Sequence, residues 1–103
     1  MPHYFFHLRD GDSLYRDLEG SDLPDLTAVR HSGTTLARTL IGVGVMEGSV
    51  PLDLQIEVHD EWSNVCWSLD FKDAVKVIPP KPATLRTEEI LGSLPVRLRY
   101  RRA

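Results

Sequence analysis

Along residues 4–9 the side chains alternate: Tyr4, Phe6 and Leu8 point to one side, and His3, Phe5, His7 and Arg9 to the other. The stretch is rich in aromatics, which favour a pleated, half-buried surface, so it predicts a strand. Asp10-Gly11-Asp12 is turn chemistry, because glycine accepts positive φ and aspartate bonds the nearby backbone. Residues 13–17 are the returning strand of a hairpin, ended by Glu19-Gly20. The period then changes. Leu26, Val29, Gly33, Leu36, Ala37 and Leu40 recur at helical steps, with Arg30, Ser32, Thr34 and Arg38 between them for water. Asp25 is the best N-cap, with Ser21 and Asp22 close by. Gly42 and Gly44 each lower helix propensity by about 1 kcal/mol relative to alanine. Fraying is expected there, with a helix end before Gly48.

Alternation returns further on. Leu54, Ile56 and Val58 oppose Gln55, Glu57 and His59; Val65, Trp67, Leu69 and Phe71 oppose Cys66, Ser68 and Asp70. These runs predict a second hairpin across the polar loop 60–64, which exposes Trp62. Asp73-Ala74-Val75 reads as a helical turn. Pro79, Pro80 and Pro82 make a stiff, extended linker, since proline fixes φ and removes a donor. Residues 87–92 read as a short capped helix. Residues 96–102 alternate Val96, Leu98 and Tyr100 with arginines, as either an extra strand or a basic arm.

The expected fold is α+β: a ββαββ antiparallel sheet with one helix packed on one face, plus a C-terminal extension. The division is a core domain at 1–78, a Pro-rich linker at 79–82 and a basic extension at 83–103. Tyr4, Phe6, Leu8, Val29, Leu36, Leu40, Ile56, Val58, Trp67 and Leu69 form most of the expected core. The helix-free face would show Phe5, His7, Gln55, Glu57, His59, Cys66 and Ser68.

Length and charge sharpen this picture. A 103-residue chain suggests one small domain. Such a domain buries only somewhat more than ~60% of its extended surface, so partner surfaces can add stability. The longest apolar run, residues 40–46, is far short of the roughly 18 residues needed to span a bilayer, so no membrane association is expected. No basic n-region opens the chain, so no signal peptide is expected. The single cysteine, Cys66, has no internal partner, and the simplest compartment is the cytoplasm. The net charge of −3 is uneven: residues 1–80 carry 6 basic and 13 acidic side chains, residues 81–103 carry 6 and 2. The acidic body is a poor platform for phosphate; the tail is not.

Tyr-Phe-Phe-His-x-Arg-Asp-Gly at 4–11, Asp17-x-x-Gly20, Leu23-Pro24-Asp25-Leu26, Ile56-Glu57-Val58-x-Asp60-Glu61 and Phe71-x-Asp73-Ala74-Val75 occur together. In this the chain resembles an uncharacterised family of small proteobacterial proteins, a domain of unknown function common in soil α-proteobacteria. The resemblance spans roughly residues 2–78 and implies no activity, so no site residue follows from it. Two features depart from the family: glycines interrupt what resembles a longer Ala/Leu-rich helix, and residues 79–103 extend beyond the family core.

Candidate chemistry is sparse. His3 and His7 share a strand face, but four residues of strand place them roughly 13 Å apart, too far to share one metal ion. His7 with His59 remains a candidate pair, weighed against a solvated or interface pair. Asp10, Asp12, Asp17 and Glu19 lack the ligand spacing of a calcium loop. Cys66 with His7 or His59 has no local nucleophile signature. Gly42-Val43-Gly44 follows a helix and lacks the lysine of a phosphate loop. No catalytic residue, cofactor or metal is therefore expected. Candidate interface residues are Phe5, His7, His59, Trp62, Val96, Leu98 and Tyr100. Arg97, Arg99, Arg101 and Arg102 are candidates for contact with nucleic acid or an acidic surface. The leading expectation is a non-enzymatic protein-interaction or regulatory module, a homodimer with an unidentified protein partner. The alternatives are a nucleic-acid-binding accessory protein using the arm, and a small enzyme with a His/Cys/Asp site on the open sheet face.

Overall fold

In the computed structural model, which describes residues 1–80, the N-terminal aromatic run forms strand β1 (His3–Asp10). The Asp10-Gly11-Asp12 turn returns it into β2 (Ser13–Tyr15), and a short β3 (Ser21–Asp22) follows. Helix α1 (Leu26–Met46) crosses to β4 (Gln55–His59), β5 (Val65–Asp70) and one turn of helix, α2 (Phe71–Ala74). The sheet is antiparallel in the order β2-β1-β4-β5, with β3 also pairing β1. The chain is therefore α+β, with one main helix on one face. The expected short helix at 87–92, the expected strand or arm at 96–102, and Val96, Leu98, Tyr100, Arg97, Arg99, Arg101 and Arg102 lie outside the described residues.

Strand β1 occupies the middle of the sheet. β4 pairs one side of it along residues 5–9, and β2 and β3 share the other. The returning strand is shorter than expected: β2 ends at Tyr15, and β3 takes up the ladder again at residues 3 and 4. Between them the chain leaves β1, and Asp17 fills the gap with its side chain.

Asp25 caps α1 as expected, its carboxylate accepting from the Ala28 N–H at 2.9 Å. The expected fraying at Gly42 and Gly44 is absent; the helix stays regular to Met46. Gly44 is a point of close approach, since a methyl there would overlap the Pro51 ring. The Ser49 N–H also bonds the Gly44 carbonyl at 2.8 Å. The returning chain thus packs on the helix end and compensates for poor propensity. Gly33 does the same against the sheet: a methyl there would meet the Trp67 indole, so the ring lies directly on the helix backbone.

The core is Tyr4, Val29, Ala37, Ile41, Ile56, Val58, Phe71 and Ala74, with Phe6, Leu8, Leu36, Leu40, Trp67 and Leu69 half-buried around it. The expected core thus clusters as one, but its centre sits nearer α2. Phe71 is fully buried, its N–H bonded to the Leu54 carbonyl at 2.9 Å. Arg38, expected to face water, reaches the Ala74 carbonyl with Nε at 2.7 Å and ties α1 to α2. Helix α1 rests mainly on β4 and β5. One helix, about 10 Å wide, covers two strands spaced ~4.8 Å apart. Over β1 and β2 a groove of about 490 Å³ remains, floored by Phe6, Leu8 and Ile56 and walled by Leu36 and Leu40.

Candidate functional site

Among the described residues, the helix-free face gathers a layer of bonded polar side chains. Strand alternation and the β1–β4 register place His7 opposite Glu57, Phe5 opposite His59 and Arg9 opposite Gln55. The Arg9 guanidinium donates to Glu57 through Nε at 2.6 Å and Nη2 at 3.3 Å. Glu57 also meets His59 Nε2 at 2.8 Å. Arg9 first, then His59, hold the Glu57 carboxyl down to about 2. Next in line, the His7 and His59 rings stand edge to face, with centroids 4.5 Å apart. Phe5 stacks parallel to His7 at 6.2 Å, and His3 meets Phe5 edge-on at 5.0 Å.

His7 is the only buried polar residue among those described, 5% exposed. Its Nδ1 accepts from the Asp17 backbone N–H at 3.0 Å. A backbone amide only donates, so Nδ1 carries no proton and the ring is the neutral Nε2–H tautomer. Burial pushes its pKa down, and the neighbouring His59 and Arg16 push the same way.

Asp17 holds the segment in place. Its Oδ2 accepts from the Phe6 N–H at 3.0 Å, supplying the bond that a continuous strand would have given β1. Its Oδ1 accepts from the Glu19 and Gly20 N–H groups, each at 3.1 Å. Burial acts against the charge, but these backbone bonds prevail and the Asp17 pKa lies below its usual value.

His3 is half-buried at the end of the layer. Nδ1 faces Asp22 Oδ1 at 2.6 Å, and Nε2 bonds the Glu19 carbonyl at 2.9 Å. With an acceptor at each nitrogen, the charged ring is favoured; the Asp22 bond is the main cause of its raised pKa.

His7 and His59 are brought together, as the second hairpin's alternation suggested. Cys66 is not with them. A bulge between the Val58–Trp67 and His59–Val65 pairs makes Cys66 an extra residue on β5. The bulge turns Val65 to solvent and packs Cys66 against the core, its Sγ on the Val58 carbonyl at 3.4 Å. Burial raises the thiol pKa. The expected placement of Cys66 beside Ser68 and Asp70 is thus corrected by the bulge, and the His/Cys/Asp constellation is not assembled. Among the described residues no three His, Cys, Asp or Glu side chains converge as metal ligands. Trp62 is 76% exposed on the β4–β5 loop, which Asp60 ties down by accepting from the Trp62 and Asn64 N–H groups, each at 2.9 Å. No helix among the described residues is long and apolar enough to cross a membrane.

Arg9, Asp17 and Glu57 were not singled out from the sequence. Asp17-x-x-Gly20 carried the only signal, a spacing at which the carboxylate can accept from the N–H groups of the turn it begins. Arg9 and Glu57 depend on a register between strands 48 residues apart. The layer's Glu57 and Asp17 carboxylates are engaged by donors, and the one core-facing thiol is elsewhere.

Fold and layer together define a small α+β domain with a half-covered antiparallel sheet. Residues 3–72 match the family model described as a domain of unknown function (DUF6894), and the chain belongs to that family. No curated protein and no solved structure matches it.

Proposed function

We propose that the chain is a non-enzymatic interaction module of a proteobacterial cytoplasm that works as a homo-oligomer. The outer edge of β5 receives residues 96–102 of a second copy. One observation carries this reading: β5 is the last strand of the sheet, and no described residue pairs its outer side. Val65–Asp70 has neither lysine nor proline, and its bulge at Cys66 sits at one end and leaves Trp67–Asp70 in regular register. Val65 and Trp62, at the start of the strand and in the loop before it, are 59% and 76% exposed. An incoming strand would set Val96, Leu98 and Tyr100 against this apolar rim. Its four arginines would face a body that carries 13 acidic side chains against 6 basic ones.

The helix-free face is a weaker candidate for the contact. Glu57 and His59 side chains are each 12% exposed and His7 is nearly covered, so the layer is already closed by its own bonds. The acidity of the body weighs against a nucleic-acid platform, and the separation of Cys66 from His7 weighs against the enzyme alternative.

Sedimentation of the full chain at micromolar concentration should give a mass near twice that of the chain. Val65→Lys should return it to the monomer while far-UV circular dichroism stays unchanged, because a cation on the edge repels an arginine-rich strand. A clean monomer of the unaltered chain at hundreds of micromolar would end the proposal.

A further inference from the structure

The segment of residues 16–20 spans the gap between β2 and β3 without joining the sheet. It is fastened to β1 at three points: the Asp17 carboxylate accepts from the Phe6 N–H, the Asp17 N–H donates to His7 Nδ1, and His3 Nε2 bonds the Glu19 carbonyl. A proton on His3 keeps its bond to the Glu19 carbonyl, so that end stays tied in acid; only the His7 bond is lost when its ring is protonated. A ring nitrogen that accepts from a backbone N–H loses that role when it is protonated, and two N–H groups then face each other across 3.0 Å.

We propose that His7 is a proton-operated latch: neutral, it holds the 16–20 segment against β1, and protonated, it releases the Asp17 end of it. The groups around it set the response. From β4, the His59 ring lies edge-on and Glu57 sits opposite in register. From the same strand, Phe5 stacks over it. From the segment come Arg16 and Asp17, a cation and an anion. His59, when charged, and Arg16 oppose a proton on His7; Glu57 and Asp17 favour one. Glu57 is already engaged by Arg9 and His59, and Asp17 by three backbone N–H groups, so neither is free to pair a new imidazolium in place. The proton is accommodated by moving the segment. Release uncovers the Phe6 N–H at the centre of β1 and frees Leu18, already 86% exposed at the segment's tip. Acid would thus open a second stretch of sheet edge, on the strand opposite the β5 side.

The sign follows from burial. The folded-state pKa of His7 lies below the ordinary 6.5, so the latch is intact above that value and opens as pH falls through the depressed one. The experiment is site-resolved amide exchange on the full chain between pH 7.5 and 5, corrected for intrinsic rates. It is paired with imidazole ¹⁵N shifts of His7. The expected result is at least a tenfold loss of protection at the Asp17 amide while α1 amides such as Ala37 keep theirs. His7 should be the Nε2–H tautomer at pH 7.5. In His7→Gln, whose side-chain oxygen accepts without titrating, the Asp17 amide should stay level across the range. Level protection in the unaltered chain would overturn the latch, as would equal loss in His7→Gln, joint loss at Ala37, or an Nδ1–H tautomer at pH 7.5. The ¹⁵N shifts keep the idea open to refutation even where the variant fails to fold.

Discussion

At the scale of single residues, Glu57 joins two strands' side chains, meeting Arg9 from β1 and His59 from its own strand. Its folded-state value of about 2 lies below the ordinary 4.5. The stability it contributes is therefore complete above 4.5 and lost as pH falls toward 2. Hydrogen bonds to charged groups contribute ~1.5–3 kcal/mol, but Arg9 is one-third exposed and solvent screening trims the sum. Glu57→Gln should cost about 1–2 kcal/mol in urea denaturation at pH 7, a cost that shrinks by pH 3. His3 works in the opposite sense. Its raised pKa makes its contribution complete below 6.5 and lost as pH rises through the folded value.

At the scale of elements, the contact between α1 and β5 rests on an absence of side chain at Gly33. Gly33→Ala would gain about 1 kcal/mol in helix propensity but drive a methyl into the Trp67 ring, and overpacking costs about 1–3 kcal/mol. We expect a net loss of up to about 2 kcal/mol in chemical denaturation together with a shift in tryptophan emission. Trp67→Leu in the same chain should recover part of it. The same elements show what could be read in advance. The alternation of β4 was legible because one of its faces is wholly buried, at Ile56 and Val58. The bulge in β5 was not, because an extra residue is defined by the partner strand's register and leaves no mark on local pattern. The helix was legible through its stripe, but its persistence past Gly42 was not, since Pro51 secures it from outside. Ile41 continues the four-residue spacing of Gly33 and Ala37, a signal present in the stripe and outweighed by the neighbouring glycines. Of the candidate site, the pairing of His7 and His59 was legible from strand parity. The role of Asp17 was not, because it replaces a missing piece of strand.

At the scale of the whole molecule, the eight core residues among those described span residues 4–74. A chain ending at residue 82 should therefore still unfold cooperatively, with a Tm within a few degrees of a monomeric full-length variant, but sediment as a monomer. Retained dimer mass would mean that β5 edges pair with each other, and failure to fold would place 83–103 in the core. The position of β1 has a consequence of another kind, for synthesis. Strand β1, inside the finished sheet, is made well before β4, its neighbour on one side. Its hairpin partner β2 follows within a few residues, yet Phe6 pairs with Val58 on β4. Translation at ~5–20 residues per second puts roughly 3–10 s between those two residues, whereas a hairpin forms in about 1–10 μs. Through that interval a Tyr-Phe-Phe strand stands with one edge unpaired, and closing the sheet waits on a long-range contact. Nascent chains of this protein are thus most exposed to mispairing just before residues 55–59 emerge, and the wait shortens only if translation does.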